Sequence, residues 1–384
     1  MGWNGAYFLN TDSMKKILFV IHDLGPGGAE KVLVNLVNNM DPQKFDVTVM
    51  ALFGGGVNEQ FLKPHIHYRY CFKHMIRGNS HLMKLLTPRQ LHKWLIKEHY
   101  DVEVSYLEGP TARIISGCPH RNTKKVAWIH CLATQKTNVT LGFRSYNEAI
   151  KSYSKFDKIV CVSKSSETAF QNVFPNIDRT AVLYNTYDSE TVIQLSNEPV
   201  DLAFQPEYIH LISTGRLIPI KGYDRLMRVY TRLKADGYQL KCYILGNGEI
   251  HKELERKAYE LGIDDGFKFL GYHINPYKYV ANCNLYVCSS LSEGFSTAAT
   301  EALIVGTPVC TVDVSGMKEM LGENGEYGIF TENSEDALYL GIKKLLDDPS
   351  LLEHYKNMAT VRGKDFSTET TVKAVENMIE GLVI

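Results

Sequence analysis

The sequence predicts an α/β protein of two domains, each built around a mostly parallel sheet. Short apolar runs typical of buried strands alternate with helical segments in both halves of the chain. The 384 residues are enough for two hydrophobic cores. Between the two series, residues 191–208 combine polar and acidic residues and prolines with weak periodicity, as in a linker. We therefore place domains at 14–190 and 209–364 and expect residues 1–13 to form a disordered extension.

The first domain begins with a strand, a glycine loop and a helix. Ile17–Ile21 is an apolar run, Gly25-Pro26-Gly27-Gly28 follows it, and residues 29–40 have helical periodicity. This order is that of the first unit of a doubly wound domain. The loop matches neither GxGxxG nor the P-loop, which argues against a nicotinamide oxidoreductase. Gly27 and Gly28 indicate either close packing or the approach of a ligand. Further strands are predicted at 45–52, 67–72, 102–106, 126–129, 158–162 and 180–183, with helices at 91–98 and 147–155.

The second domain repeats this rhythm. Strands are predicted near 209–213, 240–245, 267–270, 285–288 and 308–312, and helices near 224–235, 249–261, 275–282, 297–305 and 335–347. Each of the first four strands ends in a polar or glycine-containing turn. Ligands of such sheets bind beyond the carboxyl ends of the strands, so these turns are expected to share one crevice. A final amphipathic helix is predicted at 368–382.

The amino-acid composition indicates which classes of protein the chain can belong to. Apolar residues make up 44% of the chain and charged residues 22%, as in ordinary soluble proteins. No apolar stretch is long enough to span a bilayer, and no signal-peptide pattern precedes the first strand. The eight cysteines form no CxxC pair, and several, such as Cys161, Cys242 and Cys310, lie in apolar strands. We therefore expect a cytoplasmic protein with reduced core thiols and no metal site.

Charge is distributed unequally along the chain. Residues 1–190 hold 23 Lys and Arg against 16 Asp and Glu, whereas the remainder holds 19 against 27. Much of the positive excess lies between Lys63 and Lys97, a stretch without a single acidic residue. This basic run is either a solvated face or a surface that attracts an anionic membrane or an acidic acceptor. Nucleic acid is not expected, because no recognised binding module accompanies the charge.

The turn after the predicted strand 285–288 carries two carboxylates. It reads Glu293-Gly294-Phe295-Ser296-Thr297 and leads into a helix that contains Glu301. Ser296 or Thr297 can cap this helix, whose amino end then suits an anion such as a phosphate. Glu301 has small apolar neighbours and is either a solvated surface residue or a ligand for hydroxyl groups.

Two cations follow the first strand of the second domain. Arg216 and Lys221 are five residues apart and precede a helix. A forked guanidinium and a compact ammonium together suit a diphosphate. An arginine and a lysine after a strand do not indicate a binding site by themselves. The Glu293–Glu301 turn, which is expected in the same crevice, strengthens that interpretation.

Several separate motifs, in the right order, resemble those of the retaining glycosyltransferases of family 4. In the second domain they are Gly215-Arg216, Lys221-Gly222, Gly246-Asn247-Gly248, and Glu293 with Glu301 at the family's E-x7-E spacing. In the first domain they are the Gly-Gly-Ala-Glu loop, Trp128-Ile129-His130, and Tyr184-Asn185 with Asp188. The likeness covers nearly all the chain from Met14. One departure is Asn185-Thr186-Tyr187-Asp188, where the family has Asn-Gly-Ile/Val-Asp, which leaves the role of Asp188 open.

The resemblance implies the GT-B fold, with two doubly wound Rossmann-like domains facing a central cleft. It also implies that residues 365–384 pack back on the N-terminal domain. The implied reaction transfers a sugar, with retention, from a nucleotide diphosphate sugar, with UDP favoured. It needs neither metal nor cofactor and follows a front-face route. Because of the basic run, the expected acceptor is a lipid-linked or other glycan in polysaccharide or cell-envelope synthesis, taken at the inner face of the membrane.

The resemblance also assigns roles to residues. Arg216 and Lys221 would neutralise the diphosphate as it leaves, and Glu301 would hold the ribose hydroxyls. Glu293, with the Phe295 and Ser296 backbone, would touch the donor sugar and phosphate. His130 would face that sugar, unless it is a core histidine satisfied by its neighbours. The remaining donor-binding candidates are Gly27, Gly28, Gly215, Gly246, Asn247, Tyr272, His273, Gly294 and Thr297.

Other functions use a similar architecture. A sugar phosphorylase or epimerase also binds phosphates between two such halves, although no lysine context for pyridoxal phosphate is evident. A non-catalytic protein that closes on a sugar belongs to a different class and is normally exported. Release of free nucleoside diphosphate separates the transferase from the binding protein.

Overall fold

The computed structural model describes residues 14–74, 83–130, 140–292, 295–314 and 316–383. The predicted extension 1–13 lies outside these residues, as do Glu293 and Gly294. The chain divides into two compact units. The first unit covers the described residues of Met1–Trp128, Lys136–Ile159 and Glu376–Ile384, and the second covers those of Ile129–Gln135 and Val160–Val375.

The first sheet has seven strands in the order β3-β2-β1-β4-β5-β6-β7. β1 pairs in parallel with both β2 and β4, which places it near the centre of the sheet. Its apolar residues from Ile17 to Ile21 are fully buried, which explains why this run lacks the alternation of a one-sided strand. The strands are β1 Lys15–Ile21, β2 Phe45–Phe53, β3 His67–Phe72, β4 Val102–Ser105, β5 Lys124–Ile129, β6 Lys158–Cys161 and β7 Thr180–Val182.

The second sheet has six strands in the order β10-β9-β8-β11-β12-β13. β8 pairs in parallel with β9 and β11, so the order reverses direction on the two sides of β8. The strands are β8 Ile209–Thr214, β9 Leu240–Leu245, β10 Phe267–Gly271, β11 Leu285–Cys288, β12 Val309–Val312 and β13 Ile329–Thr331. The two-domain α/β class predicted from the alternating pattern is confirmed by these two sheets.

Helices follow most strands. They are α1 Gly28–Asn39, α2 Pro88–Leu95, α3 Pro110–Ile115, α4 Tyr146–Tyr153, α5 Lys164–Val173, α6 Ser189–Ser196, α7 Tyr223–Ala235, α8 His251–Glu260, α9 Tyr277–Asn282, α10 Thr297–Ile304, α11 Met317–Leu321, α12 Glu335–Asp347, α13 Pro349–Asp365 and α14 Thr368–Val383. Short 3-10 turns lie at Glu59–Phe61 and Pro219–Lys221. Among the described residues, no helix combines the length and the apolar character needed to cross a bilayer.

Two predicted ranges differ from the structure by more than two residues. Helix α2 begins at Pro88 rather than Leu91, because Thr87 and Gln90 form a capping box with proline in the first turn. The linker predicted at 191–208 begins inside helix α6, Ser189–Ser196. The Asp188 side chain caps this helix by accepting a hydrogen bond from the Thr191 amide at 3.1 Å. This contact gives Asp188 a structural role that the family motif left open.

The end of helix α14 belongs to the first unit. There the Glu376 carboxylate accepts a hydrogen bond from the Asp41 amide at 2.7 Å. One turn later, Glu380 forms an ion pair with Lys44 at 3.0 Å. These contacts anchor the last helix beyond the end of α1.

A polar network is buried beneath helix α2 in the first unit. Glu103 on β4 is completely buried, and both its oxygens lie within 3.0 Å of His92 Nε2. Cys118 donates its thiol hydrogen to the same carboxylate at 3.4 Å. Among the described residues, these three are the one group whose side chains could hold a metal ion. Burial, followed by the Glu103 charge, raises the pKa of Cys118 to about 11, so the thiol stays a protonated donor rather than a thiolate ligand.

Candidate functional site

A pocket of about 310 Å³ lies at the carboxyl ends of strands β8, β9 and β10 in the second unit. The position agrees with the rule that ligands of open α/β sheets bind beyond the carboxyl ends of the strands. Its lining residues come from three successive turns and are Thr214, Gly215, Arg216, Leu245, Gly246, Asn247, Tyr272, His273 and Pro276. Five of the predicted donor-binding residues are therefore brought together with Arg216.

Backbone hydrogen bonds hold these three turns together. The Gly215 amide donates to Leu245 at 2.9 Å, and the Gly246 amide donates to Gly271 at 2.8 Å. Gly246 has a φ of 139°, and a Cβ there would lie 2.0 Å from the Gly215 carbonyl oxygen. A larger residue would force the two turns apart, so the backbone itself forms the floor of the pocket.

The Arg216–Lys221 loop is fastened to the turn after β11. Ser289 donates its hydroxyl to the Lys221 carbonyl at 3.0 Å, and the Leu291 amide donates to Ile220 at 2.7 Å. Gly222 has a φ of 64°, and a Cβ there would lie 2.2 Å from the Ser289 carbonyl oxygen. The predicted Lys-Gly pair thus has a physical reason. The backbone after Lys221 is left-handed and runs close to the end of β11, and only glycine fits there.

Arg225 holds the carboxyl end of β11 in place through hydrogen bonds to its backbone. Its side chain is only 5% exposed, and its guanidinium donates to the carbonyls of Ser289 and Ser290. It also donates to the Asn333 side chain at 2.8 Å, and Asn333 in turn donates to the Leu291 carbonyl at 3.1 Å. The carbonyls at a strand end have no partner in the sheet, so a buried forked donor satisfies them without a water.

The turn that leads into helix α10 is held by an aromatic cluster. The Phe295 ring stacks on Tyr184 with centroids 5.6 Å apart, and Phe366 contacts both rings. Ser296 caps α10, since its hydroxyl accepts the Ala299 amide at 3.4 Å. The cap predicted at Ser296 or Thr297 is therefore Ser296, and Thr297 is exposed in the first turn.

Glu301 lies one turn inside α10 and is partly buried. Its Oε1 accepts a hydrogen bond from the Tyr277 hydroxyl at 3.0 Å. Of the two interpretations of Glu301, the freely solvated surface residue is wrong, because a buried tyrosine holds its carboxylate. Tyr277 follows Pro276, which lines the pocket.

His273 is also held by its surroundings. Its Nε2 lies 3.1 Å from the Leu270 carbonyl, and its Nδ1 lies 3.1 Å from the Tyr279 hydroxyl. Tyr279 contacts the Asp201 carboxylate as well. The neighbouring Tyr272 is 70% exposed, so the pocket has one fixed and one solvent-facing ring on this wall.

Other predicted site residues lie elsewhere. Gly27 and Gly28 follow β1 in the first unit, and Gly27 is the N-terminal cap residue of α1. A Cβ on Gly28 would meet nothing within 4 Å, so packing among the described residues does not require a glycine there. His130 directly follows β5 and is partly buried. Glu293 and Gly294 lie outside the described residues, so their predicted roles stay predictions.

Arg225, Asn333 and Tyr277 were not predicted as site residues. Arg225 had a detectable pattern, because it precedes Val229 by one helical turn on the face of α7 that is buried. A charged residue at such a position requires partners for its charge. Asn333 and Tyr277 carry no local pattern, since their partners are 42 and 24 residues away along the chain.

Both halves of the chain match models of glycosyltransferase families. Residues 196–362 match the model described as "Glycosyl transferases group 1", and residues 26–191 match "Glycosyltransferase Family 4". A Campylobacter jejuni protein is 31% identical over 92% of this chain and 96% of its own length. Its name is N-acetylgalactosamine-N,N'-diacetylbacillosaminyl-diphospho-undecaprenol 4-alpha-N-acetylgalactosaminyltransferase. The chain belongs to glycosyltransferase family 4.

Two further comparisons agree with this assignment. A second Campylobacter jejuni protein, the GalNAc-alpha-(1->4)-GalNAc-alpha-(1->3)-diNAcBac-PP-undecaprenol alpha-1,4-N-acetyl-D-galactosaminyltransferase, is 24% identical over 92% of this chain and 95% of its own. The crystal structure of Anabaena HepE in complex with UDP aligns with a TM-score of 0.73 at 20% identity. It covers 95% of this chain and 100% of the other, and the shared fold is GT-B. The predicted family and fold class of this glycosyltransferase are thus confirmed.

Replacing Arg225 by Met is expected to lower the free energy of unfolding by about 2–3 kcal/mol, because buried acceptors lose charged donors. Chemical denaturation monitored by circular dichroism measures the change. The matched control is Arg228→Met, which makes the same substitution at an exposed arginine of the same helix. Arg228 pairs with Asp224 and Glu335 at the surface, so its loss is expected to cost less than about 1 kcal/mol. Equal losses for the two variants would contradict the role given to Arg225.

Proposed function

We propose that this glycosyltransferase moves a hexose-type sugar, with retention, from a nucleoside diphosphate sugar to a lipid-linked or saccharide acceptor. The reaction would serve polysaccharide or cell-envelope glycan assembly. UDP is the favoured carrier, and no divalent ion or other cofactor takes part. The enzyme works on the cytoplasmic side, at the inner face of the cell membrane.

One observation carries the donor class: a cationic loop lies beside a pocket with a backbone floor. Arg216 is exposed and lines the pocket, and Lys221 ends the same loop. Close-packed turns leave room for a flat, polar ligand, and the cations suit its diphosphate. UDP is the first donor nucleotide to test, since HepE was crystallised with UDP.

The loop also suggests how the reaction is promoted. Negative charge grows on the diphosphate as it leaves, and fixed cations nearby stabilise that charge more in the transition state than in the ground state. The Ser289 and Gly222 contacts hold the loop in place before the donor binds. Since Arg216 and Lys221 supply the positive charge, and no Asp-x-Asp motif occurs in the sequence, a divalent ion is not needed.

Retention is supported by the family and by the names of relatives. The Campylobacter jejuni relatives are named for alpha linkages. A front-face route, in which the leaving phosphate oxygen helps to deprotonate the acceptor, requires no protein nucleophile. The carboxylate of Glu301 already accepts a hydrogen bond from Tyr277, which suits a binding role rather than attack on a sugar.

The acceptor side is supported by the surface of the first unit. Helix α2 turns Arg89, Lys93 and Trp94 to solvent, while Leu91 and His92 are buried. Leu85 just before the helix is 75% exposed. Cations beside an exposed indole are typical of an interfacial helix at an anionic membrane. The two relatives are named for undecaprenol-linked diphosphate acceptors, which reside in membranes.

The other candidate functions receive less support. A non-catalytic sugar-binding protein, a phosphorylase and an epimerase were each compatible with two α/β domains. The match of both halves to glycosyltransferase models favours transfer to an acceptor. The proposal is tested by incubating the protein with nucleotide sugars, UDP-sugars first, and undecaprenyl-diphosphate-linked acceptors. The released nucleoside diphosphate and the anomeric configuration of the product, determined by NMR, are measured. No acceptor-dependent release with any nucleotide sugar would overturn it.

Replacing Lys221 by Ala should reduce turnover by about tenfold or more. A charge-assisted hydrogen bond contributes roughly 1.5–3 kcal/mol. The bond from the Lys221 ammonium is expected to form chiefly with the leaving diphosphate, so its loss should lower turnover. Steady-state kinetics of nucleotide release measures the effect. Lys252→Ala, an exposed lysine on α8, is the matched control and should keep normal turnover. Near-normal turnover in a folded Lys221→Ala protein would sink the assignment of the loop.

Activity should survive removal of divalent ions. Dialysis against EDTA, followed by assay with and without added Mg²⁺ or Mn²⁺, is expected to change turnover by less than about twofold, because the two side-chain cations supply the charge at the diphosphate. Loss of activity that is restored by either ion would count decisively against this mechanism.

The first unit should bind anionic vesicles at low salt. Each Lys or Arg near such a surface contributes about 1 kcal/mol, and salt screens the attraction. Cosedimentation with vesicles that contain phosphatidylglycerol, compared with neutral vesicles, measures this binding. The double variant Arg89→Glu, Lys93→Glu should bind less, whereas Lys252→Glu in the second unit should not differ. Equal binding to neutral vesicles, or none at low salt, would make the basic run a solvated face.

A further inference from the structure

We propose that Tyr277 is a positioning residue that holds Glu301 in the orientation needed to bind the ribose of the donor nucleotide. The inference rests on the proposed function, in which Glu301 receives the ribose hydroxyls. It adds a residue that no motif of the chain points to.

Tyr277 is an anchored side chain. It is 8% exposed and lies in the first turn of α9. Its amide donates to Asn275 Oδ1 at 3.1 Å. The Asn275 side-chain nitrogen donates in turn to the Leu195 carbonyl at 2.8 Å and to the Glu198 carboxylate at 2.9 Å. The amino end of α9 is therefore bound to the end of α6, and the backbone that carries the Tyr277 ring is held in place.

The hydrogen bond to Glu301 has a defined direction. Burial, followed by the nearby Glu301 carboxylate, raises the pKa of Tyr277, so the hydroxyl keeps its proton at neutral pH. The phenol is the donor and Glu301 Oε1 the acceptor, at 3.0 Å. A glutamate side chain has several rotatable bonds, and a fixed donor on one oxygen restricts them before the ligand arrives.

Position connects this pair to the pocket. His273 and Pro276, on the same turn as Tyr277, both line the pocket. Glu301 is on a different helix, α10, whose amino end is capped by Ser296. The Tyr277 hydroxyl thus connects the Glu301 carboxylate on α10 to the segment that carries His273 and Pro276 in the pocket wall. Orienting a carboxylate in advance lowers the entropy lost when it accepts hydroxyl hydrogens, so it strengthens binding of a ribose.

A bland alternative is that Tyr277 only fills space in the core. The two roles differ in ligand specificity. A packing defect weakens binding of every nucleotide alike, whereas a misplaced Glu301 weakens only nucleotides that present the hydroxyls it contacts. The comparison between ribose and deoxyribose nucleotides therefore separates them.

The experiment measures dissociation constants for UDP, 2′-deoxy-UDP and 3′-deoxy-UDP by calorimetry; if UDP does not bind, ADP or GDP and their deoxy forms replace it. The variants are Tyr277→Phe, Glu301→Gln and the double variant. Tyr230→Phe is the matched control, since Tyr230 is a buried tyrosine of the same unit whose hydroxyl donates to the Leu240 carbonyl at 2.7 Å. Thermal unfolding of each variant confirms that it is folded.

We expect Tyr277→Phe to weaken ribonucleotide binding about fivefold, the loss typical of one hydrogen bond, and to leave the weaker deoxynucleotide binding nearly unchanged. In the Glu301→Gln background the same substitution should add nothing. The KM for the donor should rise with little change in kcat. Tyr230→Phe should leave the ratio of ribose to deoxyribose affinity at its wild-type value.

The failures are distinguishable. If Glu301→Gln abolishes ribose discrimination while Tyr277→Phe preserves it, Tyr277 is not a positioning residue and the role of Glu301 stands. If Tyr277→Phe weakens all nucleotides equally, the residue is a packing element and the inference is wrong. If no nucleoside diphosphate binds the wild-type protein, both the proposed donor and this inference fall.

Discussion

The buried guanidinium of Arg225 is the interaction on which the second unit's site depends. It bonds to the carbonyls of Ser289 and Ser290, where β11 ends and sheet hydrogen bonding stops. A buried charge without partners would destabilise the core strongly, so this contact requires the turn to adopt one conformation. Ser289 and Gly222 then fasten the cationic loop to the same place. The geometry of this loop follows from satisfying backbone acceptors.

Close backbone packing converts separate turns into one binding surface. Parallel strands end at one edge of a sheet, but their turns meet only if nothing bulky intervenes. The hydrogen bonds from Gly215 and Gly246 to neighbouring turns, with no room for a Cβ at Gly246, bring them together. A floor of peptide groups suits a nucleotide whose base edge is polar and flat. The charged side chains can then stand at the rim, where the phosphate is expected.

Charge and polarity are used differently in the two units. The second half of the chain is net acidic, yet Arg216 and Lys221 concentrate positive charge where a diphosphate would lie. In the first unit, cations face solvent on α2, while the other side of that helix buries His92 against Glu103. The buried pair fixes the helix to the sheet, so its exposed basic face is presented in a constant orientation. The second unit therefore places cations beside its pocket, and the first places them on an exposed helix face.

The sequence by itself determined the alternation of strands and helices, the family, and which turns carry the cations and Glu301. These features repeat over a few residues, so periodicity and motif spacing reveal them. The sequence did not reveal β13, a strand of only three residues. The start of α2 at Pro88 was misplaced and helix α6 was not predicted, because capping and packing override weak periodicity. Tertiary structure alone decided that Arg225 holds the end of β11 and that Tyr277 holds Glu301. Those partners lie 64 and 24 residues apart along the chain, and a contact at such separation leaves no local pattern.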